Sequence, residues 1–395
     1  MPKARGNGEG GVYWREDRKC YVGSVTLPNG KVKKHCAQTK KECQEWIRQT
    51  KASIQQGMPV MDSRKTVRQY LTDWLQVKRT QVRERTCVRY EHLIVKHVLP
   101  TLGSKPLEKL TGQDLNVLYL EKMQDIPDPE KRDRKLAPQT VVHIHRVLHA
   151  AFADAVMHGV LGRNPADLVK PPKVPAPERW FLKPDEAKQL LKAAEGDRLE
   201  ALYMLALTTG MRQEELLGLK WDAVDLDGGF LEVRRTLFWM AGRGPVWGEP
   251  KSDTSRRRVS LAPVAVAALR SHEERQAKER AAMKRWEEKG LVFCNTLGGP
   301  IEAANLLYRN FRPLLVKAKL PRMRFHDLRH STASLLLSLN ESPKVVQELL
   351  GHSSIRLTLD VYSHAMPTLQ QAAVNRLGGL LDGSAQAPPE APPAA

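Results

Sequence analysis

Four prolines fall within eight residues at Lys170-Pro171-Pro172-Lys173-Val174-Pro175-Ala176-Pro177. A proline fixes its own φ and offers no N–H, so this stretch is stiff and extended and reads as an interdomain linker. A chain of 395 residues is long enough for two or three domains, each with its own core. The fold class expected is mainly α with small β elements. It comprises an N-terminal three-stranded sheet plus helix at 1–60, a helical domain at 64–170, an α-rich domain at 179–383 that carries a β-hairpin near 230–262, and an Ala/Pro tail at 384–395.

In the first segment, the β-rich runs Gly11–Trp14 and Cys20–Leu27 flank the charged turn Arg15–Lys19. Pro28-Asn29-Gly30 then turns the chain into Lys31–Cys36, because Asn-Gly favours the positive φ of a hairpin turn. Thr39, with Glu42 three residues on, predicts a capped helix from Lys40 to about Gln56. Arg15, Arg18, Lys19, Lys31 and Lys33 give this unit a basic rim, as suits a sheet set in a DNA groove or a merely solvated sheet.

In the second, Val67, Tyr70, Leu71, Trp74 and Leu75 recur at helical spacing. Further helices are expected at Thr86–Val98, stopped by Pro100 and Gly103, at Thr111–Lys122, and at Ala137–His158, closed by Gly159. Lys78, Arg79, Arg83, Arg85, Arg89 and Lys96 cluster on the first two, and the charged segment 125–135 reads as an exposed loop.

Charge narrows the function. Lys and Arg number 63 against 44 Asp and Glu, a net +19, which points to a polyanionic partner because basic side chains at phosphates release condensed counterions. Five cysteines without a CxxC pair suit neither a disulfide framework nor a zinc site, and fit a reducing cytosol. The start has no apolar stretch of a signal peptide, and no run approaches the ~20 apolar residues of a membrane span. A soluble, intracellular protein with no membrane partner is expected.

Three motifs carry chemistry. In Thr208-Thr209-Gly210-Met211-Arg212-Gln213-Glu214-Glu215, one helix breaks at Gly210 and another starts, placing Arg212 in a first turn with Glu215 three residues on to pair with it. A guanidinium there can grip a phosphate in two places. In Phe325-His326-Asp327-Leu328-Arg329-His330, His326 and Arg329 lie at i and i+3, on one helical face, with Leu328 and 335–337 facing inward. In the third, Ser342-Pro343 starts a helix that Gly351 ends; His352 follows at once, and Tyr362 ten residues later on a short helix anchored by Leu357, Leu359 and Val361. Each motif alone fits a capping arginine, a surface pair or a half-buried aromatic.

Their order does not. Arg, a basic hairpin, His-x-x-Arg, Gly-His and Tyr, within about 150 residues, resemble the catalytic domain of the tyrosine recombinase (phage integrase) family over roughly residues 180–380. The resemblance implies an active-site set of Arg212, Lys251, His326, Arg329, His352 and the nucleophile Tyr362. Lys251 is placed by the turn Pro250–Ser255 leading into a strand at Arg256–Leu261, with Arg256 to Arg258 close enough that the register is open. At pattern level, residues 1–60 resemble an arm-type DNA-binding domain and 64–170 a helical core-binding domain.

The family's chemistry is cutting and rejoining of DNA through a 3′-phosphotyrosine, without cofactor or metal; the chain carries neither a GxxxxGK[ST] loop nor an acidic cluster at metal-ligand spacing. The implied partners are double-stranded attachment sites and a homotetramer on two duplexes, with an excisionase and a DNA-bending host factor as accessory proteins, in the cytoplasm at the nucleoid. The stretch Pro367–Leu381 reads as a helix either given to a neighbouring protomer or folded back on its own domain. Competing readings are a non-catalytic DNA-binding regulator of the same fold, a type IB topoisomerase, and, least favoured, a metal enzyme built on His145 and His149.

Overall fold

The computed structural model describes residues 11–26, 30, 32–55, 65–124, 135–175, 180–240, 242–250, 255–356, 358–359, 374–375, 377–378 and 381. Outside them fall Lys251, Tyr362, the Pro28-Asn29 turn, nearly all of the 125–135 loop, most of the C-terminal helix expected at 367–381, and the 384–395 tail. The chain divides into two compact units, 1–176 and 177–395. As expected, it is mainly α with small antiparallel sheets.

The first unit opens with strands β1 (Gly11–Arg15), β2 (Cys20–Thr26) and β3 (Val32–Ala37), antiparallel in that order. Helix α1 (Lys40–Gln55) lies against the sheet, where Gly23 approaches Cys43 and Trp46 so closely that a Cβ would meet them at 3.3–3.4 Å. Its start is the predicted capping box: Glu42 N–H donates to Thr39 Oγ1 and Thr39 N–H to Glu42 Oε2, each at 3.3 Å.

The helical part comprises α2 (Val67–Gln81), α3 (Glu84–Leu93), α4 (Leu99–Leu102), α5 (Gly112–Met123) and α6 (Pro138–Met157) around one apolar core that includes Leu71, Ile94, Leu115, Leu118, Leu148 and Phe152. Pro100 does not stop the helix as the sequence suggested. Between α3 and α4 the backbone widens over Ile94–Val98, where Leu99 N–H reaches back five residues to Ile94 O. The wider turn lets Pro100 enter as an early residue of α4, where its missing N–H is not needed. The expected basic cluster is also partly consumed internally: Lys78 pairs with Asp154 at 2.9 Å and Arg79 with Glu91 at 3.0 Å. His145 and His149 are likewise occupied, by Tyr119 OH at 3.1 Å and Asp167 at 2.9 Å.

The second unit packs α7 (Pro184–Ala194), α8 (Glu200–Thr209), the short α9 (Gln213–Leu217), α10 (Pro263–Ala282), the single turn α11 (Ala303–Asn305), α12 (Arg312–Lys317) and α13 (Asp327–Ser338) around a core containing Leu202, Tyr203, Phe293, Phe311 and Leu328. The expected hairpin near 230–262 is more elaborate. Strands β4 (Val224–Asp225), β5 (Phe230–Glu232) and β8 (Arg258–Ser260) form one sheet, and β6 (Thr236–Met240) with β7 (Gly244–Gly248) form a separate ribbon between β5 and β8. Helix α14 (Pro343–Leu350) starts at Ser342, whose Oγ accepts from Lys344 N–H, and ends at Gly351 in the left-handed region, as predicted.

Candidate active site

The site is assembled at one junction of the second unit. Helix α8 ends at Gly210, with φ +61°, where a side chain is strained; a Cβ there would also sit 2.2 Å from Leu350 Cδ2. Glycine thus lets the turn after α8 lie directly against the last residue of α14. Arg212 is the N-cap of the five-residue helix α9 (Gln213–Leu217), one step before the first-turn position expected. So short a helix lends little dipole; Arg212 is instead held by side chains. Its backbone N–H donates to Glu215 Oε2 at 3.0 Å, Nη1 to Glu215 Oε1 at 2.8 Å, and Nη2 to Gly351 O at 3.1 Å.

Glu215 fulfils the predicted pairing and does more. Its side chain is 1 % exposed and also receives Arg257, whose Nη2 lies 3.1 Å from Oε2. Burial pushes the Glu215 carboxyl up, but Arg257 and then Arg212 outweigh it and hold the group below its ordinary value. Glu215 is therefore an anion fixed between two cations.

His326 caps α13 and Arg329 lies in its first turn. Arg329 is 3 % exposed; Nη1 donates to Gly210 O at 2.8 Å, whereas Nη2 is buried without a hydrogen-bond partner among the described residues. Burial first, then Arg212, with Arg257 adding to it and Glu215 opposing, push this guanidinium down to about 9. It stays charged at neutral pH.

His352 follows the α14 C-cap directly, and its Nδ1 shares a hydrogen bond of 2.9 Å with the buried Thr358 Oγ1. That commits Nδ1 and leaves Nε2 as the nitrogen able to meet a substrate. Burial, then Arg329 and Arg212, push His352 down to about 3. His326 stays exposed on its outer side, yet desolvation of the ring, then His330, Arg329 and Arg324, push it down to about 4, with Asp327 opposing. Its ring stands edge-on to His330, centroids 5.0 Å apart. Both imidazoles are neutral at pH 7.

The structure therefore brings Arg212, His326, Arg329 and His352 together, from segments up to 140 residues apart. Lys251 and Tyr362 lie outside the described residues. The motifs did not single out Arg257 or Thr358. For Arg257 the signal was present: in a strand with Val259 and Leu261 inward, period-two alternation turns residue 257 inward as well.

A helical domain of this build gathers two arginines and two neutral imidazoles at one junction, the side-chain set of an enzyme class that handles phosphodiesters. Residues 180–368 match the phage integrase family, and 66–123 the phage integrase N-terminal SAM-like domain. An integrase of Streptomyces ambofaciens is 32 % identical over 393 residues, covering 95 % of this chain and 97 % of the relative. A XerC-like tyrosine recombinase of Caldanaerobacter subterraneus subsp. tengcongensis is 29 % identical over 392 residues, covering 93 % and 98 %. Among solved structures, the Tn1549 transposon integrase in complex with transposon right end DNA superposes with a TM-score of 0.65 at 25 % identity, over 79 % of this chain and 99 % of the other. The lambda integrase tetramer bound to a Holliday junction shares the fold, with a TM-score of 0.54 at 20 % identity over 91 % and 96 %. The chain belongs to the phage integrase family and is a tyrosine-type site-specific DNA recombinase.

Proposed function

We propose that this recombinase integrates and excises mobile or phage DNA through a covalent 3′-phosphotyrosine on Tyr362. The observation that carries the reading is the buried Nη2 of Arg329, without a partner among the described residues, beside Arg212 and His352. A phosphodiester repels nucleophiles through its negative oxygens, and fixed cations offset that charge most strongly as it grows in the pentacoordinate transition state. Arg212 and Arg329 take the non-bridging oxygens, and His352 donates to one of them from Nε2.

The Tyr362 oxygen forms a bond to phosphorus as the bond to the 5′-oxygen breaks. His326, neutral in the free enzyme, accepts the phenolic proton, and Lys251 protonates the departing 5′-oxygen. The parts given to Lys251 and Tyr362 rest on the family motif. The phosphotyrosine keeps the energy of the broken bond, so attack by a 5′-hydroxyl of the partner strand reverses the step without ATP.

In this reading residues 1–60 bind arm-type sites, 64–170 grip the core site, 179–383 carry the chemistry and 384–395 form a tail. The partners are double-stranded attachment sites and a homotetramer on two duplexes, as lambda integrase forms on a Holliday junction. An excisionase and a DNA-bending host factor complete the assembly at the nucleoid. No helix among the described residues is long and apolar enough to cross a membrane.

The test is a nicked suicide duplex spanning the junction between the mobile element and its host chromosome. Wild-type protein is expected to leave an SDS-stable protein–DNA adduct, and Tyr362→Phe none, with DNA affinity nearly unchanged. An adduct of normal yield from Tyr362→Phe would remove the reading. Relaxation of a supercoiled plasmid lacking the junction would instead favour a topoisomerase-like activity.

A further inference from the structure

We propose that Arg257 is a positioning residue for strand cleavage, fixing Arg212 and His352 at once through Glu215 and the end of α14. The inference rests on the functional reading above.

The side chain is only 7 % exposed, and its hydrogen bonds are directed at protein rather than outward. Nε donates to Leu349 O at 2.7 Å; Nη2 donates to Glu215 Oε2 at 3.1 Å; Nη1 faces Glu215 Oε1 at 3.5 Å and Ser255 O at 3.3 Å. Arg212 makes a parallel set: Glu215 on one side, Gly351 O on the other. Two guanidiniums thus share one buried carboxylate and also hold two carbonyls of the same helix end, Leu349 and Gly351. His352 begins one residue beyond.

Two consequences follow. The first is geometric. The last carbonyls of a helix lack intrahelical donors, and these two receive planar guanidiniums that are rigid in plane and cannot lose their charge. The turn that aims His352 is therefore anchored to the same carboxylate that aims Arg212. The second is electrostatic. With a single arginine, Glu215 would cancel the charge that Arg212 offers a phosphate. Arg257 supplies the second positive charge, so the Arg212–Glu215–Arg257 group remains net cationic towards substrate. Lysine at this position keeps the charge but lacks the fork that reaches Glu215 and Leu349 O together.

The experiment uses the full chain on the nicked junction duplex, reading DNA affinity and single-turnover cleavage separately. Arg257→Gln is expected to bind DNA within a few-fold of wild type and to cleave about 10²-fold more slowly, the size of effect that a misplacement of about 1 Å produces. Arg257→Lys is expected to recover part of the rate. Because part of the effect passes through Arg212 and the rest through the end of α14, adding Arg257→Gln to Arg212→Ala is expected to cost clearly less than Arg257→Gln costs in the wild-type background. Wild-type cleavage by Arg257→Gln, or equal losses in the two backgrounds, would overturn the proposal. If Arg257→Gln does not fold, Arg257→Lys decides, since unchanged cleavage by a variant that cannot bridge both partners overturns it equally. Absence of an adduct from wild-type protein would strike the functional reading instead, and so is distinguishable.

Discussion

In the helical part of the first unit, Tyr70 donates its hydroxyl proton to Ala151 O at 2.6 Å, and Trp74 Nε1 donates to Asp154, which Lys78 also meets at 2.9 Å. In the second unit, Arg329 is equally buried, yet Nη2 has no partner among the described residues and the nearest charges are mostly of its own sign. The bundle pairs each of these polar groups within the fold, whereas the junction around Gly210 keeps a positive charge in excess. A buried group that is satisfied contributes to stability, whereas a buried cation crowded by charges of its own sign suits a site that receives an anion.

The largest effect expected from this contrast is in the bundle. Phe152 is fully buried, and Phe152→Ala is expected to cost about 3–5 kcal/mol of stability, read as a lower denaturant midpoint, because the cavity adds to the lost transfer energy. A midpoint close to wild type would mean that this core does not carry the bundle.

Arg329→Met should behave in the opposite way. Cleavage of the suicide duplex is expected to fall by about 10²–10³, roughly 3–4 kcal/mol of transition-state stabilisation. Thermal stability should hold or rise, because a buried cation crowded by Arg212 and Arg257 is replaced by an apolar chain of similar length. A variant that lost stability and kept its cleavage rate would erase the distinction between the two regions.

Much of this was legible in the sequence, and the reasons differ by element. The caps at Thr39 and Ser342 and the break at Gly210 were readable because each depends on a few adjacent residues. The four catalytic candidates that converge were readable as an ordered set, although no one of them was distinctive alone. Pro100 was misread because the widened turn that accommodates it depends on hydrogen bonds between residues five apart, not on composition. From sequence alone the ribbon of β6 and β7 merges with its flanking strands into one hairpin; in the fold, Gly242 and Gly244, both with positive φ, make a second turn inside it. In the sequence Arg257 stands only as one of three arginines that leave the lysine register open, although its alternation with Val259 and Leu261 turns it inward, where Glu215 meets it.

The two imidazoles give a pH test of the same contrast. In the folded, DNA-free protein His326 and His352 lie at about 4 and about 3, below the ordinary value near 6.5 that they regain on unfolding. Between these values the unfolded chain binds more protons, so stability is complete above about pH 6.5 and declines as pH falls towards 4 and then 3. A phosphate in the site favours the protonated rings, so DNA binding near pH 5.5 is expected to take up protons, seen as a dependence of the calorimetric enthalpy on the buffer. His352→Gln should reduce that uptake; uptake unchanged in both His352→Gln and His326→Gln would place the titrating groups elsewhere.

The smallest effect separates local folding from chemistry most cleanly. Thr66 caps α2: its Oγ1 accepts from Gln69 N–H at 3.3 Å while Gln69 Oε1 accepts from Thr66 N–H at 2.9 Å. Removing the hydroxyl leaves one donor of the first turn to water, so Thr66→Ala is expected to cost about 1 kcal/mol of stability in the bundle. Because the bundle's polar groups are settled internally, that loss should not reach the strand-cleavage step: the single-turnover rate on saturating DNA is expected to match wild type. A cleavage rate that dropped in step with stability would show that the cationic junction depends on the bundle for its geometry, and that the fixed charges around Glu215 do not by themselves set the reaction.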